Sequence, residues 1–344
     1  MFARRFSSRR FKIVGLWGLI GWVVLISPGC AAEPPPVRPA GLPAHYIRVA
    51  EALASWKLAP EPLDTDGKQI FRNAWTELAL QRDSREIYLN GLRIFLGEGI
   101  LRAGDELWLS RVDQNKLLSP LLRPVAYADT ARPVKRIMID AGHGGKDRGT
   151  YSDPLALAEK HVALDVALRL GEILQQQGFE ILQIRTDDTF VEKGERARLA
   201  VESGADLFVS IHFNAAGNPE ANGSETYVLT PARQRSSGDS TSSPAELPPE
   251  PGNVTDPWNA ILGHEVHKAM INRLGTTDRG LKRARFAVLR LNEIPSVLVE
   301  AGFLSHEAEA QEIASPRRRG EIAEAIANGI VAYSTQVAAV APRP

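Results

Sequence analysis

The hydrophobic pattern of the chain alternates between strands and helices from about residue 135 onward. Short continuous apolar runs are typical of buried strands, and apolar positions repeated every three or four residues are typical of helices. The predicted strands are 135–139, 179–184, 205–213, 224–229, 287–289 and 297–300, and the predicted helices are 159–177, 195–202, 258–274 and two from residue 306 onward. This alternation predicts an α/β fold in which helices flank a mostly parallel, twisted sheet.

An earlier part of the chain has a different pattern, with one helical segment followed by short strands. The helical spacing covers 46–56, and the strand-like segments are 77–80, 86–89, 93–96 and 107–109. Asn90-Gly91 separates two of these segments and is a strong signal for a β-hairpin turn. We therefore predict a small α+β domain before the larger one. The predicted limits are 45–123 for the small domain, 124–133 for a linker, 134–335 for the large domain and 336–344 for a tail.

The first thirty residues have the composition of an export signal. Five Arg and Lys residues without acids precede an apolar run at 13–26, which is too short for a comfortable membrane span. The chain's one cysteine, Cys30, follows this run in a context that resembles a lipoprotein cleavage site. We expect acylation at Cys30 to tether an exported, periplasmic protein to the membrane. The alternative is ordinary cleavage near Ala32 and a soluble product, and in both cases the Pro-rich residues 31–44 form a stiff spacer.

Composition and charge exclude several classes of protein. With 344 residues and 44% apolar residues, the chain can bury one large core and a small second domain. A formal net charge of zero argues against nucleic acid as a partner, and one cysteine excludes an internal disulfide framework despite the predicted export. The arginine-rich stretches 283–290 and 317–319 are predicted to be solvated faces. Residues 232–257 are rich in Ser, Pro, Gly and Asp, and are predicted to form a mobile surface loop.

Four short blocks place side chains suited to chemistry at the ends of predicted elements. In the first, an apolar strand ends in Asp-Ala-Gly-His-Gly-Gly, where glycine permits a sharp turn that leaves His143 at the carboxyl edge of the sheet. His212 and Glu300 end two further strands, and Glu159 opens the helix after the first strand. A lone histidine of this kind is commonly a turn residue, and a first-turn acid commonly favours the helix dipole. If the sheet is parallel, however, all four side chains can converge at one edge.

In their order along the chain, the four blocks resemble those of the zinc-dependent N-acetylmuramoyl-L-alanine amidases that cleave septal peptidoglycan. The resemblance covers about residues 134–333. It implies that His143, Glu159 and His212 bind Zn²⁺ and that Glu300 is the catalytic acid/base. Two imidazoles and one carboxylate suit zinc, whose catalytic sites typically use three protein ligands. Glu300 would take a proton from water and deliver it to the leaving amine.

The resemblance also implies what the enzyme acts on. Residues 134–335 would be a catalytic domain that hydrolyses the amide bond between N-acetylmuramic acid and L-alanine of peptidoglycan, in cell-wall remodelling and daughter-cell separation. An activator protein is a candidate partner. Two alternatives stay open: a zinc peptidase or deacylase acting on another amide, and a non-catalytic cell-wall-binding protein. The products of digestion, or the lack of products, would distinguish the amidase from these two alternatives.

Two further predictions concern features outside the four blocks. His264 and His267 lie three residues apart, whereas the His-Glu-x-x-His motif of zinc proteases places its histidines four apart, so we predict that both lie on a helix surface. The loop 232–257 lies in sequence between His212 and Glu300 and is expected beside the active site. It is either a gate for substrate access or a surface insertion without function.

Overall fold

The computed structural model describes residues 38–342 apart from 242 and 244–246. The predicted export signal, Cys30 and most of the predicted spacer lie outside the described residues. The chain divides into two compact units, Met1–Ala40 and Gly41–Pro344, and all elements below belong to the second. None of the helices in the described part of the chain has the length and hydrophobicity that a membrane crossing needs.

Short strands and short helices make up the first part of the second unit. The strands are β1 (Tyr46–Arg48), β2 (Ala59–Pro60), β3 (Lys68–Arg72), β4 (Glu77–Gln81), β5 (Glu86–Leu89), β6 (Leu92–Phe95), β7 (Leu101–Ala103) and β8 (Glu106–Ser110). The helices are α1 (Val49–Leu53), α2 (Arg111–Asp113) and α3 (Ser119–Leu122), with 3₁₀ turns at Ala54–Trp56 and Pro124–Thr130 and a π turn at Gln114–Leu118. The expected hairpin joins β5 to β6. Its turn residues Asn90 and Gly91 have φ of 50° and 81°, in the left-handed region that such turns need.

Longer elements follow from residue 136. The strands are β9 (Arg136–Ala141), β10 (Tyr151–Ser152), β11 (Leu157–Ala158), β12 (Glu180–Gln183), β13 (Leu207–Asn214), β14 (Ser224–Leu229), β15 (Asp278–Ala284) and β16 (Ser296–Phe303). The helices are α4 (Glu159–Gln176), α5 (Lys193–Glu202), α6 (Asp256–Leu274), α7 (Ala287–Arg290), α8 (Glu307–Ala314) and α9 (Pro316–Val340), with a 3₁₀ turn at Pro251–Thr255.

One large sheet contains strands from both parts, in the order β12-β9-β13-β16-β14-β15-β6-β5-β4-β3-β2. In its first six strands every neighbouring pair is parallel except β16 and β14. This confirms the predicted α/β class with a mostly parallel sheet. The antiparallel strands β2 to β6 extend the same sheet, because β6 pairs with β15 through Ile94 and Leu281.

The two faces of the sheet differ in what covers them. Alternate strand residues such as Ile139, Val209 and Val299 pack against helices α4, α6 and α9 in the main core. The residues between them point to the opposite face. There a smaller apolar cluster, which includes Phe208 and Leu298, covers only part of the surface. The remainder of that face is polar, and it carries the candidate site.

Four local predictions are wrong. Residues 287–289 belong to helix α7 rather than to a strand, because so short an apolar run does not distinguish the two periods. Arg283 is only 2% exposed instead of solvated, since its guanidinium donates to the Asp113 carboxylate at 2.8 Å. His267 is fully buried rather than on the helix surface, because α6 packs against both the sheet and α9. Helix α9 also continues past residue 336, where a tail was expected, because Val337 is buried against the core.

The Asp113–Arg283 ion pair ties β15 to the first part of the unit. Asp113 also accepts hydrogen bonds from the backbone N–H groups of Gly97 and Glu98. Asp113→Ala should lower the free energy of unfolding by about 3–5 kcal/mol, because it leaves the Arg283 charge buried without a counter-charge. Urea unfolding monitored by circular dichroism measures the change. Asp105→Ala, which removes the exposed partner of Arg102, is the control and should change stability little; equal losses in the two variants would contradict the argument.

Candidate metal centre and active site

The turn after β9 places His143 at the edge of the sheet in an unusual backbone conformation. His143 has φ of 59°, and Gly144 and Gly145 follow with φ of 128° and 53°. A non-glycine residue in the left-handed region is strained and needs support from its surroundings. Two buried arginines provide it. Arg196 donates to the backbone oxygens of Ala141 and His143, and Arg185 donates to those of Ala141 and Gly142.

Three of the predicted site residues converge at this turn. Glu159 Oε1 lies 3.0 Å from His143 Nε2 and 2.9 Å from His212 Nδ1. One ligand atom from each residue lies within 4.8 Å of the others. Although Glu159 is the first residue of α4, its side chain is buried against the two histidines instead of only facing the helix dipole.

The charge of Glu159 fits a cation site. Burial by itself would raise the pKa of Glu159, but the hydrogen bonds with His143 and His212 outweigh it and hold the pKa below its usual range. The carboxylate also accepts backbone hydrogen bonds from Thr150 and Phe213. Within the described residues it has no Lys or Arg partner. A buried carboxylate facing two imidazoles, without a fixed cation, is a donor set that fits a metal ion.

Asp147 lies next to the other ring nitrogen of the first histidine. Its Oδ2 lies 2.9 Å from His143 Nδ1, which leaves Nε2 directed at Glu159. Burial would lower the pKa of His143, but Glu159 and Asp147 together raise it. Carboxylates behind a ligating histidine commonly fix the ring and its tautomer. Asp147 was not predicted from the sequence.

The fourth predicted residue, Glu300, lies in the neighbouring strand. It pairs with His212 across β13 and β16 and with Glu225 across β16 and β14. Its buried Oε2 has no hydrogen-bond partner among the residues that the structure describes. Burial first, and then the negative charges of Glu159 and Glu225, raise the pKa of Glu300 well above its ordinary value. A carboxyl group with a raised pKa and a free oxygen facing the pocket is suited to general acid/base chemistry.

All four side chains line one pocket of about 430 Å³. One wall is apolar and includes Phe190, Val191, Phe286 and Val288. None of the described residues of the 232–257 segment lines it. That segment is instead bound by Arg85, which donates to the backbone oxygens of Arg235, Ser236 and Asp239. We therefore do not propose a gate there.

Gly142 lies directly against the ring of His212 and leaves no room for a side chain of its own. A Cβ at this position would stand 2.4 Å from His212 Cε1, so the ring would have to move. Gly142→Ala should therefore weaken metal binding by about 10- to 100-fold, the range found for displaced support of metal ligands. Competition with a chelating dye measures it. Gly217→Ala is the control, because nothing lies within 4 Å of its Cβ; similar affinities in the two variants would show that the contact does not matter.

Comparison with known proteins decides the family. The family model described as N-acetylmuramoyl-L-alanine amidase matches residues 137–332. The chain belongs to the N-acetylmuramoyl-L-alanine amidase family. This confirms the resemblance based on the four blocks and the predicted class of enzyme. It also agrees with the His-Glu-His cluster as a place for a metal ion.

Relatives within this family cover the same stretch of the chain. The amidase LytC of Bacillus subtilis is 34% identical over 197 residues, which are 57% of this chain and 35% of LytC. AmiC of Neisseria meningitidis is 34% identical over 222 residues, 59% of this chain and 53% of AmiC. The chain thus spans about a third and about half of these two relatives. A solved amidase from Clostridium difficile 630 is 31% identical, with a TM-score of 0.49, over 59% of this chain and 97% of that one.

The two arginines that support the amidase turn were not found from the sequence. Arg196 lies in a short helix with many charges, a pattern typical of a solvated surface, and Arg185 follows a strand without any motif. Most of their partners are backbone oxygens up to 55 residues away along the chain. Arg196 also pairs with the Asp140 carboxylate at 2.6 Å, but a contact between residues 56 positions apart leaves no local signal in the sequence.

Proposed function

We propose that the protein is a zinc-dependent amidase that hydrolyses the bond between N-acetylmuramic acid and L-alanine of peptidoglycan. The observation that carries this proposal is the convergence of His143, Glu159 and His212 in one pocket with the unpartnered carboxyl group of Glu300. The family and the names of the relatives support the choice of bond. A role in cell-wall remodelling and daughter-cell separation belongs to the same proposal.

The residues present would hold zinc through two imidazoles and one carboxylate. His143, Glu159 and His212 are ligand types that zinc accepts, and catalytic zinc sites typically use three such ligands. When bound, zinc would supply Lewis-acid chemistry at these three residues. Asp147 keeps the ring of His143 oriented, and Arg185 and Arg196 keep its backbone in place.

Glu300 would move the proton in the reaction. The pKa of Glu300 is raised above its ordinary value, which makes its carboxylate a better proton acceptor. The carboxylate takes a proton from a water molecule in the pocket as the water oxygen bonds to the carbonyl carbon. It then delivers that proton to the nitrogen as the C–N bond breaks. The products are the lactyl carboxylate of the muramic acid and a peptide that begins with a free L-alanine.

Digestion of purified sacculi tests the proposed bond. The products should be glycan strands without peptides, together with peptides whose new amino terminus is L-alanine, identified by amino-group labelling and mass spectrometry. New amino termini at other residues would instead indicate a peptidase. Release of nothing, with the protein retained on the sacculi, would indicate a wall-binding protein. Metal analysis of the same preparation identifies the bound ion.

Location and partners complete the proposal. Export to the periplasm and a lipid tether at Cys30 depend on residues 1–30, and an activator protein depends on the family resemblance. Mass spectrometry of the mature amino terminus distinguishes an acylated Cys30 from cleavage near Ala32.

A further inference from the structure

A charged cluster lies beside Glu300 that the proposed reaction does not use. Glu225 on β14 is its centre, and we call Glu225, Tyr227, Arg279 and Lys282 the Glu225 cluster. Glu225 Oε1 accepts from Arg279 Nε at 2.5 Å and from Lys282 Nζ at 2.8 Å. Its Oε2 accepts from the Tyr227 hydroxyl at 2.5 Å and from Asn214. Two cations thus share one buried carboxylate, so the cluster keeps one net positive charge.

Arg279 presents part of its guanidinium to solvent. Its Nε is used by Glu225, and its plane lies over the ring of Phe303 at 4.8 Å. The side chain is 32% exposed, and within the part of the chain that the structure describes its two terminal nitrogens have no hydrogen-bond partner. Two parallel N–H donors of a guanidinium match the two oxygens of a carboxylate. The two terminal nitrogens of Arg279 are therefore held in place and available to bind a carboxylate.

The cluster is continuous with the active-site pocket. Asn214 lines the pocket and donates to Glu225, and the ring of Phe286 at the pocket rim contacts that of Tyr227 with centroids 5.2 Å apart. Glu300, Glu225 and Arg279 lie on three successive strands, β16, β14 and β15. Strands are about 4.8 Å apart, so the two steps from β16 to β15 amount to roughly 10 Å. An extended peptide covers that distance in about three residues.

We propose that Arg279, held by Glu225, binds a carboxylate of the peptide that follows L-alanine in the substrate. The inference rests on the proposed function, because it needs the amide to lie beside Glu300 with the peptide directed toward β15. Lys282, which also binds Glu225, adds positive charge next to Arg279. Arg279 would make the enzyme selective for acidic stem peptides over those whose carboxylate is amidated.

A pair of soluble substrates tests this selectivity. One is a muramoyl peptide with a free carboxylate within its first three residues, and the other is the same peptide with a carboxamide there. Arg279→Gln should lower kcat/KM for the acid by about 10- to 100-fold, mainly through KM, since a charge-assisted bidentate contact is lost. For the carboxamide, kcat/KM should stay near that of the wild-type protein. Arg279→Lys keeps the charge without the two parallel N–H donors and should retain part of the preference.

Arg93→Gln is the matched control. Arg93 is 29% exposed and lies over Phe95, much as Arg279 lies over Phe303, but its guanidinium is already occupied by Glu86. The Arg93→Gln variant should leave kcat/KM for both substrates unchanged.

Equal losses on acid and carboxamide, or no loss on either, would overturn the inference while leaving the amidase activity intact. If the wild-type protein cleaves neither substrate, the proposed function fails, and calorimetric binding of the acid and carboxamide peptides to wild type and Arg279→Gln then decides the inference.

Discussion

Glu300→Gln is expected to lower turnover on sacculi by about 10²- to 10⁴-fold, the usual contribution of a general acid/base. The amide has nearly the shape of the carboxyl group but cannot take the proton from water. The variant should keep its metal, because Glu300 is not one of the three residues whose ligand atoms converge. It should also keep its fold, since Glu300 Oε2 makes no hydrogen bond among the described residues. Initial rates of peptide release and metal analysis of the same sample measure both effects.

Glu220→Gln is the control for this substitution, because Glu220 is an exposed acid in the loop after β13. It should leave turnover unchanged. A rate near that of the wild type in Glu300→Gln would mean that Glu300 is structural and that another group accepts the proton.

His143→Ala and His212→Ala are each expected to remove both the metal and the activity. Each variant leaves two of the three ligands, and the remaining carboxylate of Glu159 loses one of the two imidazoles that face it. The protein should stay folded, because both rings lie at the edge of the sheet, outside the apolar core. Elemental analysis after dialysis, together with circular dichroism, measures metal content and fold.

His161→Ala is the matched control. His161 lies two residues after Glu159, but its side chain is mostly exposed and faces Asp188. It should retain metal and activity. Stoichiometric zinc in both His143→Ala and His212→Ala would rule out the assigned ligand set.

The sequence was sufficient for the class of fold and for the residues that converge. Helix α4 was found because Val162, Val166 and Leu170 repeat at helical spacing, and all are buried as expected. The site was found because its side chains follow apolar strands directly, so that strand order brings them together. The roles of His143, Glu159, His212 and Glu300 as ligands and acid/base stay predictions that the variants above test.

Strand β15 and the buried polar groups could not be predicted. The strand reads Asp-Arg-Gly-Leu-Lys-Arg-Ala, with only one large apolar residue, so its pattern favours a surface segment. It is buried because its charges are paired far along the chain: Lys282 with Glu225 and Arg283 with Asp113. The burial of His267 was missed for the same reason, because its ring forms hydrogen bonds with Thr226 and Asp278. A partner 11 to 170 residues away leaves no local signal.

The pairing of β6 with β15 has a consequence for where this chain can be cut. A fragment beginning at residue 134 would contain all four site residues but would lose the neighbour of β15 and the carboxylate that neutralises Arg283. Unpaired N–H and C=O groups along such an edge form a template on which other chains can add, which leads to aggregation. We therefore expect such a fragment to aggregate more readily than the longer chain, in which strand β6 covers the edge of β15.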